Sequence, residues 1–191
     1  MHVLFFVTET TGLPINWKAP VTTLSNWPRM VQLAFLLYDK DGVEIDQGDY
    51  IIKPEGYSIP IPSSRIHGIT TERALAEGKS LFEVLQNFHS LVSDSELLVA
   101  RNISFDEKIV GAEFLRNGMI NSIASKRKIC TMLESTDYCG IPGPYGNKWP
   151  KLPELHYKLL MESLEEAHNA SVDIEITAKC FWEMKRRGII K

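Results

Sequence analysis

Three short stretches of this chain carry the side chains best suited to chemistry. They are Glu9-Thr10-Thr11-Gly12-Leu13-Pro14, Asn102-Ile103-Ser104-Phe105-Asp106 and His168-Asn169-Ala170-Ser171-Val172-Asp173. Each supplies a carboxylate, and the last adds a histidine. Carboxylate oxygens suit hard divalent cations such as Mg²⁺, and a histidine can take a proton from water near neutral pH. Taken singly, each residue also has a plainer role. Glu9 could be a buried acid satisfied by hydrogen bonds, and His168 a core or capping histidine. Asp106 and Asp173 could be acids favoured at helix N-termini by the macrodipole.

The elements that would position these groups follow from periodicity and turn chemistry. His2–Val7 is a continuous apolar run, as expected of a central strand covered on both faces. Side chains at i and i+2 of a strand share a face, so Val7 and Glu9 point the same way while Thr8 faces the other. Thr11-Gly12 then turns the chain, and residues 15–28 form a loop. Met30–Asp39 and Val43–Lys53 are strand-like and joined at Asp41-Gly42, a strong hairpin signal. Pro54–Ser64 reads as irregular. Ser80-Leu81-Phe82-Glu83 has the form of a capping box opening a helix to about Leu91. Leu97–Ala100 is a short buried strand, and Phe105 to Arg116 a helix stopped at Asn117-Gly118. Arg127–Thr131 is a last strand, and Cys139–Lys151 a loop. Pro153 suits the first turn of a helix running to about Met161. Val172 to Arg187 forms a final helix. Three early strands followed by helices alternating with two more predict an α/β layer fold.

Together, in this order and at these separations, the three stretches resemble the exonuclease motifs of the DEDDh family of 3′–5′ exonucleases. That family includes the proofreading epsilon subunit of bacterial DNA polymerase III. His67-Gly68-Ile69-Thr70 and Pro28-Arg29-Met30-Val31-Gln32-Leu33 also match family-like segments. The resemblance implies a ribonuclease H-like three-layer fold, with a mixed five-stranded sheet flanked by helices, over one domain spanning residues 1–191. It implies two Mg²⁺ or Mn²⁺ ions, roughly 3.5–4 Å apart, serving both ends of an in-line displacement on phosphorus. By resemblance, Glu9 and Asp173 hold the metal that activates water, Asp106 acts at the edge of the site, and His168 is the general base. Thr10, Leu13, His67, Asn102 and Phe105 would hold the terminal nucleotide, with Phe105 against a base. The implied substrate is single-stranded DNA, with RNA as the other candidate, and a DNA polymerase subunit is a candidate partner.

Two residues depart from the family pattern. The first motif of the family reads Asp-x-Glu, whereas this chain has Val7-Thr8-Glu9. In the family that aspartate bridges both metals, and valine offers no ligand. Many members also have a histidine before the asparagine of the second motif, where this chain has Arg101. Arg101 could add a phosphate contact, could offset the remaining carboxylates where a metal is absent, or could be an ordinary surface arginine. Three functions follow: an exonuclease severely weakened by Val7, a domain that binds single-stranded 3′ ends without cutting, and a polymerase-accessory interaction module.

The bulk properties fit these readings. The 191 residues are 44% hydrophobic and 24% charged, ordinary for one soluble domain. A net charge of −3 argues against strong non-specific binding to a polyanion. A carboxylate cluster is, however, anionic only while empty. No apolar run approaches the ~20 residues needed to span a bilayer, so no membrane association is expected. Cys130, Cys139 and Cys180 are scattered and form no metal pattern, which suggests free thiols in a reducing, cytoplasmic compartment. Trp17, Trp27, Trp149 and Trp182 read as packing residues, Trp149 being flanked by basic residues. His2, His89 and His156 read as structural or surface residues.

Overall fold

A computed structural model describes residues 2–164 and 169–190. Strands β1 (Val3–Thr10), β2 (Met30–Tyr38), β3 (Glu44–Ile51), β4 (Leu97–Ala100) and β5 (Arg127–Cys130) form one sheet in the order β3-β2-β1-β4-β5. The pairs β3/β2 and β2/β1 are antiparallel, whereas β1/β4 and β4/β5 are parallel. The sheet is therefore mixed and five-stranded, as the family resemblance implied. The turn between β2 and β3 lies at the expected Asp41-Gly42, where Gly42 takes a left-handed φ of 80°. Asp39 braces that turn by accepting hydrogen bonds from the backbone N–H groups of Asp41 and Val43.

Helices cover both faces because the central strands alternate apolar residues toward each side. Leu4 and Phe6 of β1 and Leu33, Phe35 and Leu37 of β2 pack under α3 (Leu81–Asp94) and α4 (Ile103–Arg116). Phe88 of α3 meets Phe6 at 5.3 Å between ring centroids. Val3 and Phe5 of β1 and Ala34 and Leu36 of β2 pack on the opposite face against α7 (Leu152–Leu160) and α8 (Ala170–Arg186). There Phe5 makes an edge-on contact with Phe181, 5.1 Å between centroids. This is a helix–sheet–helix sandwich with two cores sharing one sheet. The edge strand β3 is largely exposed and rich in charge, which discourages pairing with another chain.

Several elements differ from the sequence expectation. Strand β1 runs three residues beyond Val7, because β2 keeps pairing through Glu9↔Gln32 and, after a bulge, Thr10↔Met30. Pro54–Ser64 is not wholly irregular: Ile61–His67 forms α1, with Pro60 at its N-cap and a proline in its first turn, a position where the missing N–H costs nothing. Thr71–Glu77 forms the unexpected α2, capped by the Thr70 side chain. Helix α3 starts at the expected residue, but the Ser80 side chain makes no capping hydrogen bond. Helix α4 begins two residues before Phe105. Thr131 leaves the sheet to open the short helix α5 (Thr131–Glu134), followed by α6 (Thr136–Cys139). The loop after Cys139 folds into a minute hairpin, β6 (Pro142–Gly143) with β7 (Gly146–Asn147). Among the described residues, no helix is long and apolar enough to cross a membrane.

Candidate active site

The sheet concentrates the motif residues at one edge because β1 outruns its parallel neighbour. The β1–β4 register ends at Phe5↔Val99, so residues 7–10 extend past the end of β4 with one side unpaired. The chain leaving β4 turns through Arg101 and Asn102 into α4 and brings Asp106, in the first turn, against that free side. Asp106 is buried, at 5% exposure. Its Oδ1 accepts hydrogen bonds from both the backbone N–H and the side-chain hydroxyl of Thr8, each 2.9 Å. Thr8 thus faces α4, as its place in the strand predicted. It does so as the anchor of the second-motif carboxylate, a role that the sequence reading missed. The signal available was a lone polar residue at a position where Leu4 and Phe6 are apolar.

Val7 lies on the opposite face of β1, packed at the margin of the α8 core. A cavity of about 190 Å³ opens beside it, walled by Val7, Thr8, Arg101, Asn102, Phe105, Asp106 and Asp173, with Leu152, Ile174 and Thr177 among its other walls. The structure therefore brings six residues singled out in the sequence into one cavity: Val7, Arg101, Asn102, Phe105, Asp106 and Asp173. Asn102 accepts a hydrogen bond on Oδ1 from the Ser104 hydroxyl at 2.9 Å. Phe105 packs against Trp17, 5.6 Å between ring centroids and tilted by 44°. Trp17 is itself 54% exposed. It packs on Phe105, as expected of a packing residue, but with half of its surface open to solvent. Trp149 is exposed as well, whereas Trp27 is buried and Trp182 packs among the aromatic rings of the α8 core.

The other motif residues are spread around this centre. Thr10 is buried, with its hydroxyl donated to the Gly12 carbonyl at 2.6 Å. Leu13 projects into solvent at 72% exposure. His67 ends α1 and lines a separate polar cavity with Gln32, Asp49, Ile51, Ile69, Arg73 and Asn169. Its Nδ1 accepts from the Ile69 N–H at 3.2 Å, which leaves the proton on Nε2. Burial holds its pKa below the usual range, against the opposing pull of the Thr10 carbonyl. His168 lies outside the described residues. Its neighbour Asn169 caps α8 by accepting from the Ser171 N–H at 3.1 Å, and this starts the helix that carries Asp173.

The electrostatics of the site are those of crowded acids. Glu9 is half-buried, and its pKa is pushed up to about 7, first by burial and then by the charges of Asp173 and Asp106. Burial likewise raises Asp106 to about 6, although the two Thr8 hydrogen bonds and the Arg101 guanidinium oppose the shift. A desolvated carboxylate facing two others gains from a bound proton or a cation. Glu9, Asp173 and Asp106 are close enough for their charges to interact, and carboxylate oxygens of this kind suit hard divalent ions. The side chain on the Glu9 face two residues before it is Val7, and Oδ1 of Asp106 already serves Thr8. Among the described residues, no three His, Cys, Asp or Glu side chains converge at metal-ligand spacing.

Comparison with known proteins agrees with this architecture. The pattern of the exonuclease family RNase_T matches residues 5–181. The chain is similar in structure to Escherichia coli exonuclease I in complex with a dT13 oligonucleotide. The TM-score is 0.76 at 22% identity, covering 97% of this chain and 41% of the other. It is similar to the zinc-bound exonuclease I–ssDNA complex at a TM-score of 0.73 and 24% identity, covering 97% and 40%. It is also similar to a product-bound exonuclease I at 0.73 and 19%, covering 98% and 44%. These likenesses establish the fold, and the chain spans about two fifths of the length of the exonuclease I chains. No curated protein matches the chain.

Proposed function

We propose, from the premise that this chain belongs to the exonuclease family RNase_T, that it takes the 3′ end of single-stranded DNA and hydrolyses its terminal phosphodiester bond in the 3′–5′ direction. Hydrolysis by this form is severely slowed by Val7. The observation that carries this reading is the cavity at the end of β1. Asp106, Asp173 and Asn102 line it together with Val7, the residue at the family's metal-bridging position. The exonuclease I structures with bound oligonucleotides support a single-stranded DNA substrate. Three buried free thiols support a reducing, cytoplasmic setting.

Glu9 and Asp173 would hold one divalent cation, Mg²⁺ or Mn²⁺. Such an ion supplies Lewis-acid stabilisation of phosphoryl charge and an acidified water. The chain's own residues do the rest. Phe105 and Trp17 offer an aromatic surface for the terminal base, since stacking on a π-face is tolerant of sequence. Asn102 supplies a polar wall beside that surface, and Thr10 and His67 flank the strand's exit from the sheet. His168, at its motif position ahead of Asp173, would take the proton of the attacking water. The −3 net charge leaves little general affinity for polyanions, so binding depends on the site.

Val7 lacks the oxygen ligand that would support a second ion. Metal stabilisation of the transition state is worth several kcal/mol. At about 1.36 kcal/mol per tenfold, its loss slows cleavage by a factor on the order of 10³ or more. The test is degradation of a 5′-labelled single-stranded DNA oligonucleotide in Mg²⁺ and in Mn²⁺. It compares the unaltered chain, Val7→Asp, and Val7→Asp combined with Asp173→Ala, with an RNA oligonucleotide in parallel. Val7→Asp alone should cut rapidly. Equal rates for the unaltered chain and Val7→Asp would show that another group replaces the missing ligand. A second reading, 3′-end binding without hydrolysis, is favoured by the same apolar substitution, and it predicts slow cleavage in every variant with binding retained.

A further inference from the structure

The two departures from the family pattern, far apart in sequence, meet in space. The parallel register pairs Phe5 with Val99. Continued by two residues, it sets Arg101 opposite Val7, on the same side of the sheet. Both residues line the one cavity, with Asn102, Asp106 and Asp173. Arg101 is held there: its Nη2 donates to the Pro150 carbonyl at 3.2 Å. Its Nε is buried and has no hydrogen-bond partner. A buried donor without an acceptor is costly to maintain, and a phosphate oxygen entering the cavity would supply one. A guanidinium is planar, keeps its charge at all relevant pH values and matches phosphate oxygens as a fork. Resting on the nucleic-acid reading above, we infer that Arg101 is a phosphate-binding residue. It supplies a fixed positive charge to a backbone phosphate of the bound strand where Val7 denies the site a metal ligand.

The alternative is that Arg101 only ties the Pro150 segment to the β4–α4 turn and balances Asp106. The two roles separate in a binding measurement made without metal. Each phosphate contact on a single strand contributes a slope of about −0.7 in log K against log salt. The probe is a 5′-fluorescein-labelled oligothymidylate, followed by anisotropy in EDTA across a salt series. Arg101→Gln should weaken binding about tenfold or more, and the slope should become shallower by about 0.7. Arg101→Lys keeps the charge without the fork. It should retain the slope and most of the affinity, and it stands in if Arg101→Gln fails to fold by circular dichroism. An unchanged affinity and slope in Arg101→Gln, with the unaltered chain binding normally, would overturn the inference and leave the exonuclease reading intact. An equal loss of slope in Arg101→Lys would also overturn it, because the charge would not be what matters. Failure of the unaltered chain to bind in either EDTA or Mg²⁺ would overturn both.

Discussion

Glu9 is the residue on which the acid–base state of the site turns. Its pKa of about 7 in the folded chain, against 4.5 ordinarily, and that of Asp106, about 6 against 3.8, are both raised chiefly by burial. Each group therefore binds its proton more tightly folded than unfolded. The stability that it contributes is fully present below its unfolded value and is lost as pH rises through its folded value. Without metal, the melting temperature should accordingly fall between about pH 5 and pH 8. Glu9→Gln should flatten that fall, because an amide has no proton to lose in this window. Thermal melts in EDTA at both pH values, for the two proteins, check this, and parallel curves would refute the assignment. A divalent cation should raise the melting temperature more at pH 8 than at pH 5, since it competes with the proton for the same oxygens.

At the scale of elements, the site exists because β1 overshoots β4 and α4 closes against the overhang. Helix α4 is fixed at its other end by a buried charge. Glu113, fully buried, accepts on Oε1 from Arg29 Nε at 2.8 Å and from the Met30 N–H at 3.0 Å, and it pairs with Arg116 Nη1 at 3.1 Å. These contacts pin the loop between β1 and β2, which carries Trp17, to the helix that carries Asp106. Arg116 reinforces the join by donating to the carbonyls of Leu24 and Trp27, each at 2.7 Å. Removing one partner of a buried ion pair leaves the others uncompensated and typically costs about 3–5 kcal/mol. Glu113→Ala should lower stability by about that amount in urea denaturation. A loss within the range of a surface substitution, under about 0.5 kcal/mol, would show that the loop holds without it.

For the whole molecule, the decisive feature is that the two hydrophobic cores share β1 and β2. Alternate residues of the same strands serve opposite faces, so neither core can dissolve without uncovering the other. The described residues should therefore unfold in one cooperative transition, with calorimetric and van't Hoff enthalpies agreeing. Two resolved calorimetric transitions would contradict this and divide the chain. The fold spans nearly all of this chain but only about two fifths of the exonuclease I chains. What any further part of such a protein contributes is thus a separate question from the site described.

Local chemistry made the five strands of the main sheet, the four longest helices and the three motif acids readable in the sequence. Alternating and continuous apolar runs have only a few ways to be buried, and Asp41-Gly42 has one favoured turn. The motifs at Glu9, Asp106 and Asp173 carried the fold family, and strand alternation alone placed Val7 on the Glu9 face and Thr8 on the other. Tertiary structure decided the rest, because it depended on contacts between distant segments. Helices α1 and α2 lay hidden behind prolines and short length. Leu13 and His67 fell outside the main cavity, since the path of a loop is not set by its composition. Thr8 reached Asp106 only because β4 stops early. Arg101 met Val7 only because a parallel register aligned two strand ends whose separation in sequence holds no information about their distance in space.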